Sequence, residues 1–145
     1  MKRPKIVIIE DPRVNAAYFG LTREPYIAVT TGATIRLQPQ ELVSLIAHEM
    51  GHVRRRHDLW QLGAFISSVA SAYAAVAWLS VNQAVVALLV NLAAFVAVKL
   101  LWEVQADADA AKETSAASVL AMLEVLQEDH ELNWQLSARY WLLKR

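Results

Sequence analysis

His48-Glu49-Met50-Gly51-His52 brings two imidazoles and a carboxylate into a five-residue stretch. Residues four apart on a helix lie one above the other, so His48 and His52 can reach a single metal ion from one face while Glu49 leans beside it. Two imidazoles suit a zinc ion, and a carboxylate next to the ion can take a proton from the water that attacks a peptide carbonyl. The chain has only four histidines, which makes this pairing informative. The plain alternative is the solvated polar face of an ordinary helix.

The surrounding pattern supports a helix that is packed on one side. Leu42, Leu45, Ile46, Met50 and Val53 recur at helical spacing, Pro39 suits a first turn, and Glu41 is favourable near a positive helix end. Ala47 and Gly51 add little bulk beside the histidines, which permits close approach of another element.

A catalytic zinc site usually joins three protein ligands to an open position, so a third ligand is needed. Glu103 is the best candidate, at the point where a long apolar stretch gives way to Trp102-Glu103-Val104-Gln105-Ala106-Asp107. Asp107 follows on the same helical face, where it can accept the N–H of a ligating imidazole and fix its tautomer. The remaining histidines, His57 and His130, lie in charged surroundings and read as solvated.

Taken together, His48-Glu49-x-x-His52 and Glu103-x-x-x-Asp107 resemble the gluzincin signature of the HtpX-type and CAAX prenyl protease-type metallopeptidases. Asn15-Ala16-Ala17-Tyr18-Phe19-Gly20 and Ile27-Ala28-Val29-Thr30-Thr31-Gly32 extend the similarity, which covers roughly residues 6 to 125. The resemblance implies one zinc per chain held by His48, His52 and Glu103, with Glu49 as general base and Asp107 behind the first histidine. It also implies that Tyr26 to Thr31 is an edge strand whose backbone, around Tyr26, Ala28 and Thr30, binds extended polypeptide. A buried core strand is the alternative for that segment. The sequence departs from many relatives in lacking a His-Pro-Pro-type segment. Arg139 is similar to the arginine that follows it, which leaves Asn15, Arg139, Tyr140 and His130 as candidates for oxyanion or substrate contacts. Against such relatives the chain looks like a catalytic core without their extra domains.

The elements that must position these residues are mostly helices. Lys5 to Ile9, Ala17 to Leu21 and Tyr26 to Thr30 read as short strands, and Val119 to Leu126 and Trp134 to Leu143 as amphipathic helices. The fold class expected is α+β, mainly α: one domain over residues 1–145, with an apolar helical hairpin at 59–102. Trp60 to Leu79 and Ala84 to Trp102 carry one charge between them, Lys99, and each approaches the ~20 residues that span a bilayer. Trp60, Trp78 and Trp102 sit near the ends as interfacial aromatics do, although Gln61, Ser67, Ser68, Ser71 and Asn91 dilute the apolar pattern. Arg54 to Arg56 and Lys99 flank one side of this hairpin and place that side, with the metal, in the cytoplasm. The alternatives to insertion are peripheral association with a membrane, or packing of the hairpin against protein in a soluble form, including a homo-oligomer.

Hydrophobic residues make up 56% of the 145, above the about 45–50% usual for soluble domains, so there is apolar surface beyond what a core consumes. A net charge of zero argues against a nucleic-acid partner, and the lack of cysteine rules out thiolate ligands and disulfides. Ile6 to Ile9 is too short for the core of an export signal. The function expected is a zinc endopeptidase acting on extended or unfolded polypeptides at a membrane. The alternative from another class is a latent or non-proteolytic membrane-bound zinc protein whose C-terminal segment covers the metal.

Overall fold

The computed structural model describes residues 4–20, 24–129 and 134–144. Three short strands, β1 (Lys5–Ile9), β2 (Ala16–Phe19) and β3 (Tyr26–Thr30), form one sheet in the order β1-β3-β2. β3 pairs parallel with β1 and antiparallel with β2, so both of its edges are taken. This corrects the expectation that Tyr26 to Thr31 is an edge strand that binds substrate. Ile27, Ala28, Val29 and Thr30 are all buried, and a run buried on both faces belongs in the middle of a sheet. Thr30 also caps the short helix α1 (Thr31–Arg36), its Oγ1 accepting the Ala33 N–H at 3.2 Å.

β2 is the strand with an edge to offer. The Thr30 N–H donates to the Asn15 carbonyl at 3.0 Å, which fixes the alternation along the antiparallel pair. Ala17 and Phe19 therefore turn their backbone groups toward β3, and Ala16 and Tyr18 turn theirs outward.

The metal-motif helix α2 spans Pro39–Arg55. It starts with Pro39 in the first turn and the Gln38 N–H donating to the Glu41 carboxylate at 2.8 Å, a reciprocal end that satisfies donors a helix leaves open. It stops at Arg56, whose φ of 54° is left-handed. A non-glycine residue held there costs about 1 kcal/mol or more. The break lets α3 (His57–Trp78) leave in a new direction, and α4 (Val81–Glu113) returns beside it. Ser80 begins α4, with its N–H donating to Gln83 Oε1 at 3.2 Å. α4 is a single helix of 33 residues, roughly 50 Å long at 1.5 Å per residue. Its apolar part ends at Trp102, and the remainder runs into the domain carrying Glu103 and Asp107. α5 (Ala116–Asp129) and α6 (Trp134–Leu143) complete the fold.

The core lies between the sheet and α2, α4, α5 and α6. Val14, Ile27, Val29, Leu45, Val119, Met122, Leu123 and Leu126 are buried in it. The hairpin α3–α4 is outside that core: Leu62, Phe65, Ile66, Val69, Val85, Val86 and Leu89 are all exposed. Each helix contains an 18-residue window apolar enough to cross a bilayer, with mean hydropathy 1.3 and 2.5, and only 6% of either window is buried. Three of the polar residues that dilute the pattern, Ser68, Ser71 and Asn91, meet across the hairpin. Ser68 Oγ donates to Asn91 Oδ1 at 2.6 Å, and Asn91 Nδ2 donates to the Ser68 carbonyl at 3.1 Å and also to Ser71 Oγ.

α2 and α4 meet at Gly51, where a Cβ would lie 3.1 Å from Ala106 Cα. That contact is to backbone, which cannot yield without moving α4. Gly51→Val should therefore destabilise the fold by roughly 1–3 kcal/mol, the range for overpacking, seen as a lower midpoint in thermal unfolding followed by circular dichroism. An unchanged midpoint would show that the two helices are not held by this approach.

Candidate metal centre

His48, Glu49 and His52 leave α2 within one turn of each other and face α4, which supplies Glu103 and, one turn later, Asp107. The two Nε2 atoms are 3.1 Å apart, and the Glu103 carboxylate oxygens lie 3.4 Å from His48 Nε2 and 3.6 Å from His52 Nε2. Tetrahedral bonds of ~2.0–2.1 Å separate ligand atoms by roughly 3.3 Å, so the triangle has the dimensions that a zinc-sized ion requires. His48, His52 and Glu103 can thus hold a metal ion.

The donor chemistry fits as well as the spacing. His48 Nδ1 donates to Asp107 Oδ1 at 2.8 Å, which leaves the lone pair of Nε2 facing the cluster. Asp107 has no exposed surface, and Arg139 from α6 grips it through Nε at 2.7 Å and Nη2 at 2.6 Å. Arg139 Nη1 also reaches Glu103 Oε2 at 3.0 Å, which holds that carboxylate beside the two imidazoles. Burial opposes a charge on His48, but the Asp107 and Glu103 carboxylates outweigh it and raise the ring to about 9. The same carboxylates favour a cation at His48 Nε2. His52 goes the other way, lowered to about 4 by burial and by positive charge on His48, which keeps its ring neutral as a ligand must be.

Glu49 lines the cleft beside these ligands and accepts the outward-facing N–H of Tyr18. Burial, reinforced by Glu103 and opposed by His48, lifts its carboxyl to about 7. The cleft, about 370 Å³, is walled by Asn15 and the β2 residues Ala16 to Tyr18, by Leu45, Leu126 and Leu136, and by Asp58 and Gln61 at the start of α3.

Other residues singled out in the sequence fall in different places. Asn15 is exposed and lies along the cleft, its backbone tied to Thr30. Arg139 lines the cleft, and its guanidinium is engaged with Asp107 and Glu103. Tyr140 is not among the cleft residues: it turns away, and its hydroxyl donates to Glu124 of α5 at 2.8 Å. Tyr26 stacks on Phe19 with ring centres 4.9 Å apart, Ala28 and Thr30 are buried in the sheet, and none of the three is among the cleft residues. His130 lies outside the described residues. His57, expected to be solvated, is instead 4% exposed, with Nδ1 2.8 Å from His52 Nδ1 and its ring stacked on Trp102. Five residues after His52, it would point about 140° away on an unbroken helix, and it is the bend at Arg56 that brings it back. Within the cluster Arg54 to Arg56, Arg54 bridges to Glu113 and Arg55 to Asp109 at 2.7 Å, both on α4.

Comparison with known proteins agrees with this geometry. Protease HtpX homologs are similar to the chain: that of Moorella thermoacetica is 37% identical over 75 residues, covering 49% of this chain and 24% of the relative. The homolog of Bacteroides fragilis is 42% identical over 60 residues, 41% of this chain and 18% of its own length. Protease HtpX homolog 2 of Methanosarcina mazei is 35% identical over 72 residues, 48% of this chain and 24% of the relative. The chain thus spans about a quarter or less of the length of these curated relatives. No solved structure gives a significant match. The family model described as Peptidase family M48 matches residues 1–132, and the chain belongs to that family.

Proposed function

We propose that this chain is the catalytic core of a zinc-dependent endopeptidase that hydrolyses peptide bonds in extended or unfolded polypeptides at a membrane surface. The observation that carries the reading is the convergence of His48 Nε2, His52 Nε2 and a Glu103 oxygen within 4.8 Å of one another, with Glu49 beside them in an open cleft. The printed names of the relatives, proteases of the HtpX kind, support it.

Zinc bound there would supply Lewis acidity toward water and the scissile carbonyl. The chain's own groups do the rest. Glu49, lifted toward the range where a carboxylate exchanges protons near neutral pH, accepts the proton of the attacking water and delivers it to the leaving amine. The Tyr18 N–H holds that carboxylate in place. Asp107 keeps His48 in the tautomer that presents Nε2, and Arg139 balances the charge of Glu103 and Asp107. Substrate lies along β2, where the outward groups of Ala16 and the carbonyl of Tyr18 take an extended strand by backbone hydrogen bonds. Such pairing reads the main chain, which suits unfolded polypeptide more than particular side chains.

The hairpin α3–α4 enters the bilayer from the side that holds the metal. Its exposed apolar surface is covered by lipid, and its Ser68–Asn91 contacts satisfy polar groups internally, as a bilayer demands. Arg54 to Arg56 at the root of α3 and Lys99 near the root of α4 put that end on the cytoplasmic side.

Glu49→Gln should retain one zinc per chain and lose peptide hydrolysis by about 10²–10⁴-fold, the usual range for a general base. Glu103→Ala should lose the zinc itself in metal analysis of the purified protein. Hydrolysis near the wild-type rate in Glu49→Gln, or stoichiometric zinc in Glu103→Ala, would reject the site.

Ala16→Pro removes an N–H that faces the cleft and no bond to β3. It should raise KM for an unfolded substrate while the thermal midpoint stays near wild type, and an unchanged KM would place substrate elsewhere.

Cell fractionation tests the hairpin. The protein should sediment with membranes and need detergent for release. A monodisperse protein from the soluble fraction would mean that the hairpin is buried by association between protein surfaces.

A further inference from the structure

His48 has a carboxylate behind it, and His52 has a second histidine. We propose that His57 is the positioning residue for His52: it accepts the His52 Nδ1–H and so aims the lone pair of His52 Nε2 at the metal. The inference rests on the zinc reading above and deepens it.

The tautomers follow from the partners. His57 Nδ1 is 2.8 Å from His52 Nδ1, and one of the two must carry the proton between them. His52 Nε2 stands 3.1 Å from His48 Nε2 in the ligand triangle, and an imidazole nitrogen binds a metal only through a bare lone pair. His52 therefore carries its proton on Nδ1. His57 Nδ1 accepts it, which leaves the proton of a neutral His57 ring on Nε2. The opposite arrangement would direct a His52 N–H into the ligand triangle and prevent metal binding.

The acceptor is held from two elements. His57 opens α3, while Trp102, stacked on its ring at 5.7 Å and 24°, and Gln105 belong to α4. Both roots of the hairpin therefore converge on the group that orients a metal ligand, so a shift of one helix against the other is felt at His52.

The test uses full-length protein in detergent with two readouts. Nitrogen-15 spectra of the histidines in the wild type should report a proton on Nδ1 of His52 and on Nε2 of His57. A His52 protonated on Nε2 overturns the proposal. Zinc affinity, measured by competition with a chelator, should fall about 10–100-fold in His57→Phe, as losses behind a ligand do. Phenylalanine keeps a ring on Trp102 and removes the acceptor. His57→Asn, which restores an acceptor, should recover most of the affinity. Wild-type affinity in a folded His57→Phe, even with a lowered thermal midpoint, would make His57 a packing residue and overturn the assignment. If His57→Phe does not fold, the wild-type tautomers and the affinity of His57→Asn decide. Failure of the zinc reading is separately visible: zinc uptake indifferent to His52→Ala removes that reading, and this proposal with it.

Discussion

Asp107 has no contact with solvent, and an ionised carboxylate so placed loses several kcal/mol of hydration unless its lone pairs are answered by charged donors. Here they are answered three times, twice by Arg139 and once by His48. Burial works to neutralise the carboxyl, and those partners hold it below the usual carboxylate range. Because the partners come from α6 and α2 while Asp107 sits on α4, satisfying one buried charge fixes the mutual placement of three helices. The candidate metal ligands are carried along: His48 is oriented directly, and Glu103 is reached by the same guanidinium at 3.0 Å. This also gives the C-terminal helix a role other than that of a cover. A chain trimmed before α6 would leave Asp107 buried without its cation, which favours damage to the site over release from inhibition.

The second constraint is distance. Ligands on α2 and α4 can share one ion only if the two backbones come close, and Gly51 against Ala106 allows it. Past that contact the helices diverge in purpose. α2 ends at the left-handed Arg56, and α4 continues outward as one wall of the apolar hairpin. A single unbroken helix therefore joins the hairpin to Glu103 and Asp107, with no loop between them to absorb displacement. Structure and chemistry are linked at this point: whatever surrounds the hairpin bears on the elements that set the metal geometry.

Much of the site was legible in the sequence because it is written at helical spacing. Four-residue intervals put His48 above His52 and Glu103 above Asp107, and small residues marked the close approach. The sheet was less legible. Three short strands carry no code for their lateral order, and a family resemblance assigned the edge to Tyr26 to Thr31, whereas four consecutive buried residues make β3 the centre and leave β2 beside the cleft. Arg139 was noticed as a candidate for substrate contact, but its bonds to Asp107 and Glu103 were not, since those partners are far away in sequence. Tyr140 is its neighbour on α6 and points to Glu124. His57 was missed for a local reason. Only a bend returns it to His52, and the bend occurs at an arginine in a left-handed conformation where glycine or asparagine would have been the usual signal.

The central claim is that two imidazoles from α2 and one carboxylate from α4 enclose a single zinc ion. X-ray absorption at the zinc edge of the purified, metal-loaded protein measures that coordination directly. The account predicts light-atom ligands only, with two imidazole nitrogens at about 2.0–2.1 Å and carboxylate oxygen at about 2.0–2.2 Å, and loss of one imidazole contribution in His52→Ala. A spectrum with more than two imidazoles, or one that His52→Ala leaves unchanged, would contradict it.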